Sequence, residues 1–161
     1  AEASLLVGTA EVELADVDLD MLLAIVTADM PAPDRSRVAV RRDTAVRTVW
    51  VEASLLRLAL RNVLANALAA SAPGTPVTLH LSDTEHPSAV HIDVVDHGPG
   101  IPPALQARLF QRGARGSRKH GAGHGLGLFI ARRAMELQGG HLELVRSDAT
   151  GTCMRLQIRE P

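Results

Sequence analysis

Cysteine, aromatic residues and long apolar runs are scarce in this sequence. Its 161 residues include one cysteine, no tyrosine, two phenylalanines and one tryptophan. A single Cys153 cannot form an internal disulfide, and no Cys/His spacing typical of a metal site occurs, so we expect a reducing cytosolic setting. The longest uncharged apolar run, at positions 21–26, is too short to cross a bilayer, and no signal-peptide pattern is found near Ala1.

An excess of charge of either sign is also missing. Lys and Arg number 17, Asp and Glu number 18, and the net charge is −1. This balance gives no reason to expect a nucleic-acid partner. A hydrophobic content of 46% suffices for one domain with a core. Because the chain begins at Ala1 rather than Met, we expect an excised, monomeric fragment in which residues 1–10 precede a single domain at 11–161.

Periodicity and capping signals predict an α/β fold. Alternating apolar residues indicate strands. Apolar residues repeat every 3.6 positions after Asp18 and after Ser54, which indicates two helices with these residues as N-caps. We expect one mixed, mostly antiparallel sheet packed on three main helices as a two-layer sandwich. Hairpins are predicted from the strand pairs 38–40 with 46–51, 77–81 with 90–95, and 141–145 with 153–158. The other predicted segments are a strand at 11–14 and helices at 19–29, 54–71, 103–110 and 126–138.

Two glycine clusters, at 96–102 and 121–128, carry the strongest functional signal. Repeated glycine lets the backbone approach a ligand closely, which indicates a nucleotide site. The second cluster opens an apolar helix, so its exposed amides and the positive helix end would meet a polyphosphate. Between the clusters, segment 111–124 is predicted to be a mobile lid whose four cations, Arg112, Arg115, Arg118 and Lys119, close over the charge. A plain hinge with solvated cations is the alternative.

Three polar side chains accompany the glycines. Asn62 and Asn66 lie four residues apart, so both project from one face of a helix. An amide oxygen can complete the shell of Mg²⁺ on ATP, which makes Asn66 the metal candidate, although two amides can also satisfy loop backbone groups. Asp96 ends a strand and can accept a hydrogen bond from an amino group. The alternative is a turn aspartate bonded to its own backbone.

In their order, these segments resemble the ATP-binding catalytic domain of bacterial sensor histidine kinases, in the superfamily that includes DNA gyrase. Residues 60–67 are similar to the family's asparagine box, and residues 109–113 to its phenylalanine box. Segments 96–102, 123–128 and 151–152 are similar to its three glycine boxes. The resemblance implies the Bergerat fold, a layered α/β sandwich with ATP held beneath the lid. It also implies that residues 1–10 are the remnant of a dimerisation helix or linker.

The resemblance assigns roles to individual residues. Asp96 would bind the adenine amino group, Asn66 would hold Mg²⁺, and Asn62 would lie beside the phosphates. ATP-hydrolysing relatives carry a glutamate where Asn62 stands, which favours transfer to histidine over hydrolysis and makes Asn62 the catalytic candidate. The implied ATP-binding set is Asn62, Asn66, Asp96, Gly98, Gly100, Ile101, Arg112, Arg115, Lys119, Gly123, His124, Gly125, Leu126, Gly127, Leu128 and Thr152.

The resemblance also implies partners. None of the seven histidines has the expected setting of an acceptor, which is a helix position followed by an acidic residue. We therefore expect the acceptor on a separate dimerisation domain of the same homodimeric kinase, with onward transfer to a response-regulator aspartate. The whole protein is expected to be a membrane-anchored sensor kinase with this domain in the cytoplasm.

Two departures from the family pattern are evident. Ala69 and Ala70 stand where a basic and an aromatic residue are usual, and loss of the charge-assisted contact would cost about 1.5 to 3 kcal/mol unless Lys119 or His120 replaced it. His97 in the first glycine box and His124 in the second also differ from the usual residues, and both are interpreted as tolerated variants. Two alternatives stay open: a nucleotide-sensing or interaction module without catalysis, and an anti-sigma-factor serine kinase of the same superfamily.

Overall fold

A computed structural model of the chain describes residues 11–111 and 127–160. The predicted upstream remnant at 1–10 and almost all of the predicted lid lie outside these residues. The described elements are β1 (Ala15–Asp18), α1 (Leu19–Ala28), α2 (Ala32–Arg35), β2 (Val38–Asp43), β3 (Thr48–Val51), α3 (Ala53–Ala70), β4 (Val77–Glu85), β5 (Ser88–Val95), α4 (Pro103–Gln106), α5 (Gly127–Leu137), β6 (His141–Asp148) and β7 (Gly151–Arg159).

The main sheet has five strands in the order β2-β4-β5-β7-β6. β2 and β4 are parallel, and the other three neighbouring pairs are antiparallel. The hairpins β4–β5 and β6–β7 are those that alternation predicted. The prediction of a mixed, mostly antiparallel sheet is therefore confirmed.

The predicted hairpin between β2 and β3 is wrong. β2 pairs with β4, whereas β3 pairs antiparallel with β1 in a separate two-stranded sheet. The Arg42 side chain explains the divergence, because it donates to the carbonyls of Thr44 and Val46 and also bonds Asp20 of α1. These bonds direct the chain away from β2 before β3 begins. The first strand is also four residues later than predicted, since its partner is β3 rather than the main sheet.

Helix starts follow local hydrogen bonding. Asp18 caps α1 as predicted, with Oδ1 accepting from the Met21 amide at 2.8 Å. Glu52 rather than Ser54 caps α3, because its carboxylate accepts from the Ser54 amide at 3.0 Å. A longer acidic side chain one residue before the helix reaches that amide, so the prediction for Ser54 was wrong. Helix α4 is also shorter than predicted and ends at Gln106.

The core lies between the main sheet and α3, which is the central helix. Leu60 and Leu64 of α3 are fully buried together with Ile92 of β5 and Leu156 of β7. Helices α1 and α5 flank α3, so three main helices form one layer and the sheet forms the other. This arrangement confirms the two-layer sandwich. In the described part of the chain, no helix combines the length and the apolar character needed to cross a membrane.

Candidate functional site

Two amides of α3 face the beginning of α5. Asn62 donates from Nδ2 to the Leu58 carbonyl at 2.9 Å, and none of the described residues donates a hydrogen bond to its Oδ1. A Cβ built on Gly127, the first residue of α5, would lie 3.4 Å from Oδ1 of Asn62 and 3.8 Å from Oδ1 of Asn66. Among the described residues, the Asn66 amide makes no hydrogen bond. Neutral oxygen ligands beside a positive helix end suit a hard cation carried by an anion.

Asp96 follows β5 directly and is 5% exposed. Its Oδ1 accepts from the Gly98 amide at 2.9 Å and from the Thr152 amide at 3.2 Å. Within the described chain, no hydrogen bond ends at Oδ2. Asp96 can therefore be both a turn aspartate and an acceptor for an amino group. Its Oδ1 stabilises the turn, and its Oδ2 remains available to accept a hydrogen bond.

Burial raises the pKa of the Asp96 carboxyl above its ordinary value of 3.8. The amides of Gly98 and Thr152 oppose this shift, as do electrostatic interactions with His97 and Arg146, but burial has the largest effect. A carboxylate that has lost water on one side is a strong acceptor for a buried donor.

The raised pKa predicts how stability depends on pH. Between pH 3.8 and the raised pKa, the folded domain keeps a proton on Asp96 that the unfolded chain releases. The contribution of Asp96 to the free energy of unfolding should therefore fall as pH rises through this window, so the stability of the wild type relative to Asp96→Asn should decrease with pH. Urea unfolding of both proteins between about pH 3.5 and 6 measures the difference. A difference in stability that is constant with pH would contradict this assignment.

The first glycine cluster packs against the end of α3. A Cβ on Gly98 would lie 2.7 Å from the Ala70 carbonyl oxygen, so a side chain there would push the loop from the helix. Gly100 has a φ of +86°, which L-residues rarely adopt. The close approach brings Asp96 next to the last turn of α3, one turn after Asn66.

A hydroxyl pair joins β6, β7 and this loop. Ser147 and Thr152 are opposite each other in the β6–β7 ladder, and their side-chain oxygens are 2.8 Å apart. The Ser147 Oγ also accepts from the Ile101 amide at 2.8 Å. Sequence patterns did not indicate Ser147, because only the register of the hairpin places it beside Thr152.

An open cleft of about 840 Å³ borders the last turn of α3. Ala69 and Ala70 line it on one side, and Met30 and Pro31 line it on another. The glycine loop contributes Gly98. The two alanines that depart from the family pattern therefore face open space, and their methyl groups leave room where longer side chains are usual.

Residues 51–161 match the family described as histidine kinase-, DNA gyrase B-, and HSP90-like ATPase. The chain belongs to this family. It is 42% identical over 99 residues to the "Probable sensor histidine kinase TcrY" of Mycobacterium tuberculosis, a match that covers 60% of this chain and 20% of that protein. The chain spans 20% to 36% of the length of the first curated relatives.

Two solved structures agree with this assignment. Full-length ShkA in complex with AMPPNP has a TM-score of 0.82 at 25% identity, over 98% of this chain and 33% of that chain. The mycobacterial sensor histidine kinase MprB has a TM-score of 0.74 at 26% identity, over 92% of this chain and 99% of that chain. The fold is the one that the resemblance implied, and the chain is an ATP-binding catalytic domain of the sensor histidine kinase type.

The structure gathers the described members of the predicted ATP set into two adjoining groups. Asn62, Asn66, Gly127 and Leu128 lie at the contact of α3 with α5, and Asp96, Gly98, Gly100, Ile101 and Thr152 lie around the end of β5. The contact between Gly98 and Ala70 joins the groups. Outside the described residues are Arg112, Arg115, Lys119, Gly123, His124, Gly125 and Leu126.

The phenylalanine box contacts α5. The guanidinium carbon of Arg132 lies 5.5 Å from the centroid of the Phe110 ring. This cation–π contact holds Phe110, which directly precedes the predicted lid, against the helix that begins beside the asparagines. The sequence signalled Phe110 through the box but gave no indication of Arg132 as its partner.

Proposed function

We propose that this domain binds Mg-ATP and transfers the γ-phosphoryl group to a histidine on a separate domain of the same kinase. The observation that carries the proposal is buried Asp96, whose Oδ2 accepts no hydrogen bond from the described residues, next to the last turn of the helix that carries the two asparagines. Such a site offers an acceptor for the base at one end and neutral oxygen ligands at the other. Membership of the ATPase family supports the same conclusion.

The base end works through Asp96. Because Oδ1 is held by two backbone amides, Oδ2 has a fixed direction and can accept from the adenine 6-amino group. Gly98 and Gly100 let the loop after Asp96 pack closely against the backbone of Ala70 and Asp148, which holds the carboxylate in place for the base. A fixed acceptor in a buried position discriminates strongly against bases that lack the donor.

The phosphate end works through the amides and α5. The Asn66 amide oxygen has no described partner and fits Mg²⁺, which when bound neutralises charge on the triphosphate. Asn62 is an amide, so it cannot activate water as a carboxylate base does. An imidazole nitrogen already has a lone pair and needs no such base, which is why the site favours transfer to histidine over hydrolysis.

The acceptor and later steps follow from the same proposal. We expect the acceptor histidine on a dimerisation domain of the homodimeric kinase and final transfer to a response-regulator aspartate. We also expect the domain to lie on the cytoplasmic side of a membrane-anchored protein.

The direct test supplies the missing acceptor. The domain is incubated with γ-³²P-labelled ATP and magnesium, alone and with the dimerisation domain of its own kinase. We expect label on the acceptor domain only, and none when the acceptor histidine is replaced by glutamine. Incorporation of label into this domain when it is incubated without the dimerisation domain would contradict the proposal.

A second candidate is a nucleotide-sensing module without catalysis. It is favoured by Ala69 and Ala70, which supply neither a cation for phosphate nor an aromatic ring. Tight ATP binding without any transfer to the supplied histidine domain would support this candidate over the kinase.

A further inference from the structure

We propose that Arg37 is a positioning residue for the nucleotide site, because its guanidinium holds the last turn of α3 against the glycine loop that follows Asp96. This inference rests on the proposed ATP site and adds a residue that no motif of the sequence indicated. Its basis is a set of hydrogen bonds from one buried cation to the end of α3, together with a close contact between that end and Gly98.

The Arg37 side chain meets the carbonyl end of α3. Arg37 directly precedes β2, and its side chain is only 9% exposed. Its Nη2 donates toward three carbonyls, those of Leu68 at 3.2 Å, Ala72 at 3.3 Å and Ser71 at 3.5 Å. This nitrogen has two hydrogens, so the three carbonyls share them. One side chain therefore bonds the backbone on both sides of Ala70.

The other nitrogens anchor Arg37 outside α3. Nε donates to the Thr75 carbonyl at 2.9 Å, and Nη1 forms an ion pair with Asp34 at 2.9 Å. The backbone of Arg37 is also bonded, because its amide donates to the Asp34 carbonyl at 3.0 Å and its carbonyl accepts from the Val77 amide at 2.9 Å. A planar guanidinium that is fixed in this way presents its remaining hydrogens in one direction.

The end of α3 has need of such a cation. The last carbonyls of a helix have no partner within the helix, and they form the negative end of its dipole. The last turn of α3 contains no basic residue of its own. Arg37, which stands 31 residues before Leu68, supplies both the hydrogens and the positive charge.

The last turn of α3 in turn supports the Asp96 carboxylate. A Cβ on Gly98 would lie 2.7 Å from the Ala70 carbonyl oxygen, and the Gly98 amide donates to Oδ1 of Asp96 at 2.9 Å. A displaced last turn would therefore loosen the bond that directs this carboxylate. Asn66 lies a full turn before Ala70, where buried leucines of α3 hold the helix in the core. Loss of Arg37 should thus weaken nucleotide binding more than phosphoryl transfer.

The test compares Arg37→Gln and Arg37→Lys with the wild type. Dissociation constants for Mg-ATP are measured by calorimetry, transfer to the supplied histidine domain is followed at saturating ATP, and amide hydrogen exchange at Gly98 is measured by NMR without nucleotide. We expect Arg37→Gln to weaken ATP about tenfold and to speed exchange at Gly98 about tenfold, while the transfer rate stays within about twofold. Arg37→Lys keeps the charge but replaces the fork by a single ammonium, so it should weaken ATP only about threefold.

The control is Arg42→Gln, which removes a comparable set of bonds, those to the carbonyls of Thr44 and Val46 and to the carboxylate of Asp20. It should leave ATP affinity and exchange at Gly98 unchanged, and thermal melting verifies that every variant is folded at the temperature of measurement.

Three results would overturn the role of Arg37 alone. They are unchanged ATP affinity in the folded Arg37 variants, unchanged exchange at Gly98 in those variants, and equal weakening of ATP by Arg42→Gln. Failure of the wild type to bind ATP would instead overturn the proposed function, and this inference with it.

Discussion

Asp96→Asn should lower the affinity for ATP about 100-fold or more while the domain stays folded. The amide oxygen can keep the hydrogen bonds from Gly98 and Thr152 that Oδ1 accepts in the wild type. The amide nitrogen would then replace Oδ2 and present a donor to the adenine amino group. Two opposed donors lose the charge-assisted bond and leave both groups unsatisfied.

Calorimetric titration with Mg-ATP measures this effect, and far-UV circular dichroism with thermal melting reports the fold. Asp83→Asn is a matched control, since Asp83 is an exposed aspartate on neighbouring β4. It should bind ATP as the wild type does. If folded Asp96→Asn binds ATP with wild-type affinity, Asp96 is not the acceptor for the adenine amino group, and the proposed nucleotide site is wrong.

Asn66→Ala should abolish the effect of magnesium on ATP binding and slow phosphoryl transfer about 100-fold. The wild-type amide has no described hydrogen bond, so its removal leaves no buried partner unsatisfied and should cost little stability. The loss therefore falls on the nucleotide rather than on the fold. Affinity for ATP is compared in magnesium and in EDTA, and transfer is followed with labelled ATP and the supplied histidine domain.

Asn66→Asp is the matched control, because it keeps an oxygen at the same position. It should preserve a difference between magnesium and EDTA, and its transfer rate should exceed that of Asn66→Ala. If Asn66→Ala binds ATP with undiminished magnesium dependence, the metal ligand must be another residue.

Local patterns predicted those parts of the fold that depend on neighbouring residues. The hairpins β4–β5 and β6–β7 have short connections, so alternation in two adjacent runs sufficed. The strand β3 was found, but its partner was not, because apolar alternation marks a strand without identifying the strand beside it. The long-range bond from Arg42 to Asp20 has no local signal.

The same division holds in the candidate site. The four-residue spacing of Asn62 and Asn66 is sufficient to place both on one helix face. Position after an alternating run placed Asp96 at a strand end. No spacing could show that Oδ1 accepts from two amides while Oδ2 has no partner in the described part of the chain, because the Thr152 amide comes from β7.

By itself, the sequence determined the family, the order of its boxes and the two-layer α/β class, and it predicted the residues of the ATP set. Those features depend on residue type and short spacing, which a linear chain displays. Only the tertiary structure decided the partner of β3, the contact of Gly98 with Ala70, and the bonds that join Ser147 to Ile101 and Thr152. Each of these is a contact between segments that are distant in the sequence. Local patterns permit many such pairings equally, and packing of the whole core selects one of them.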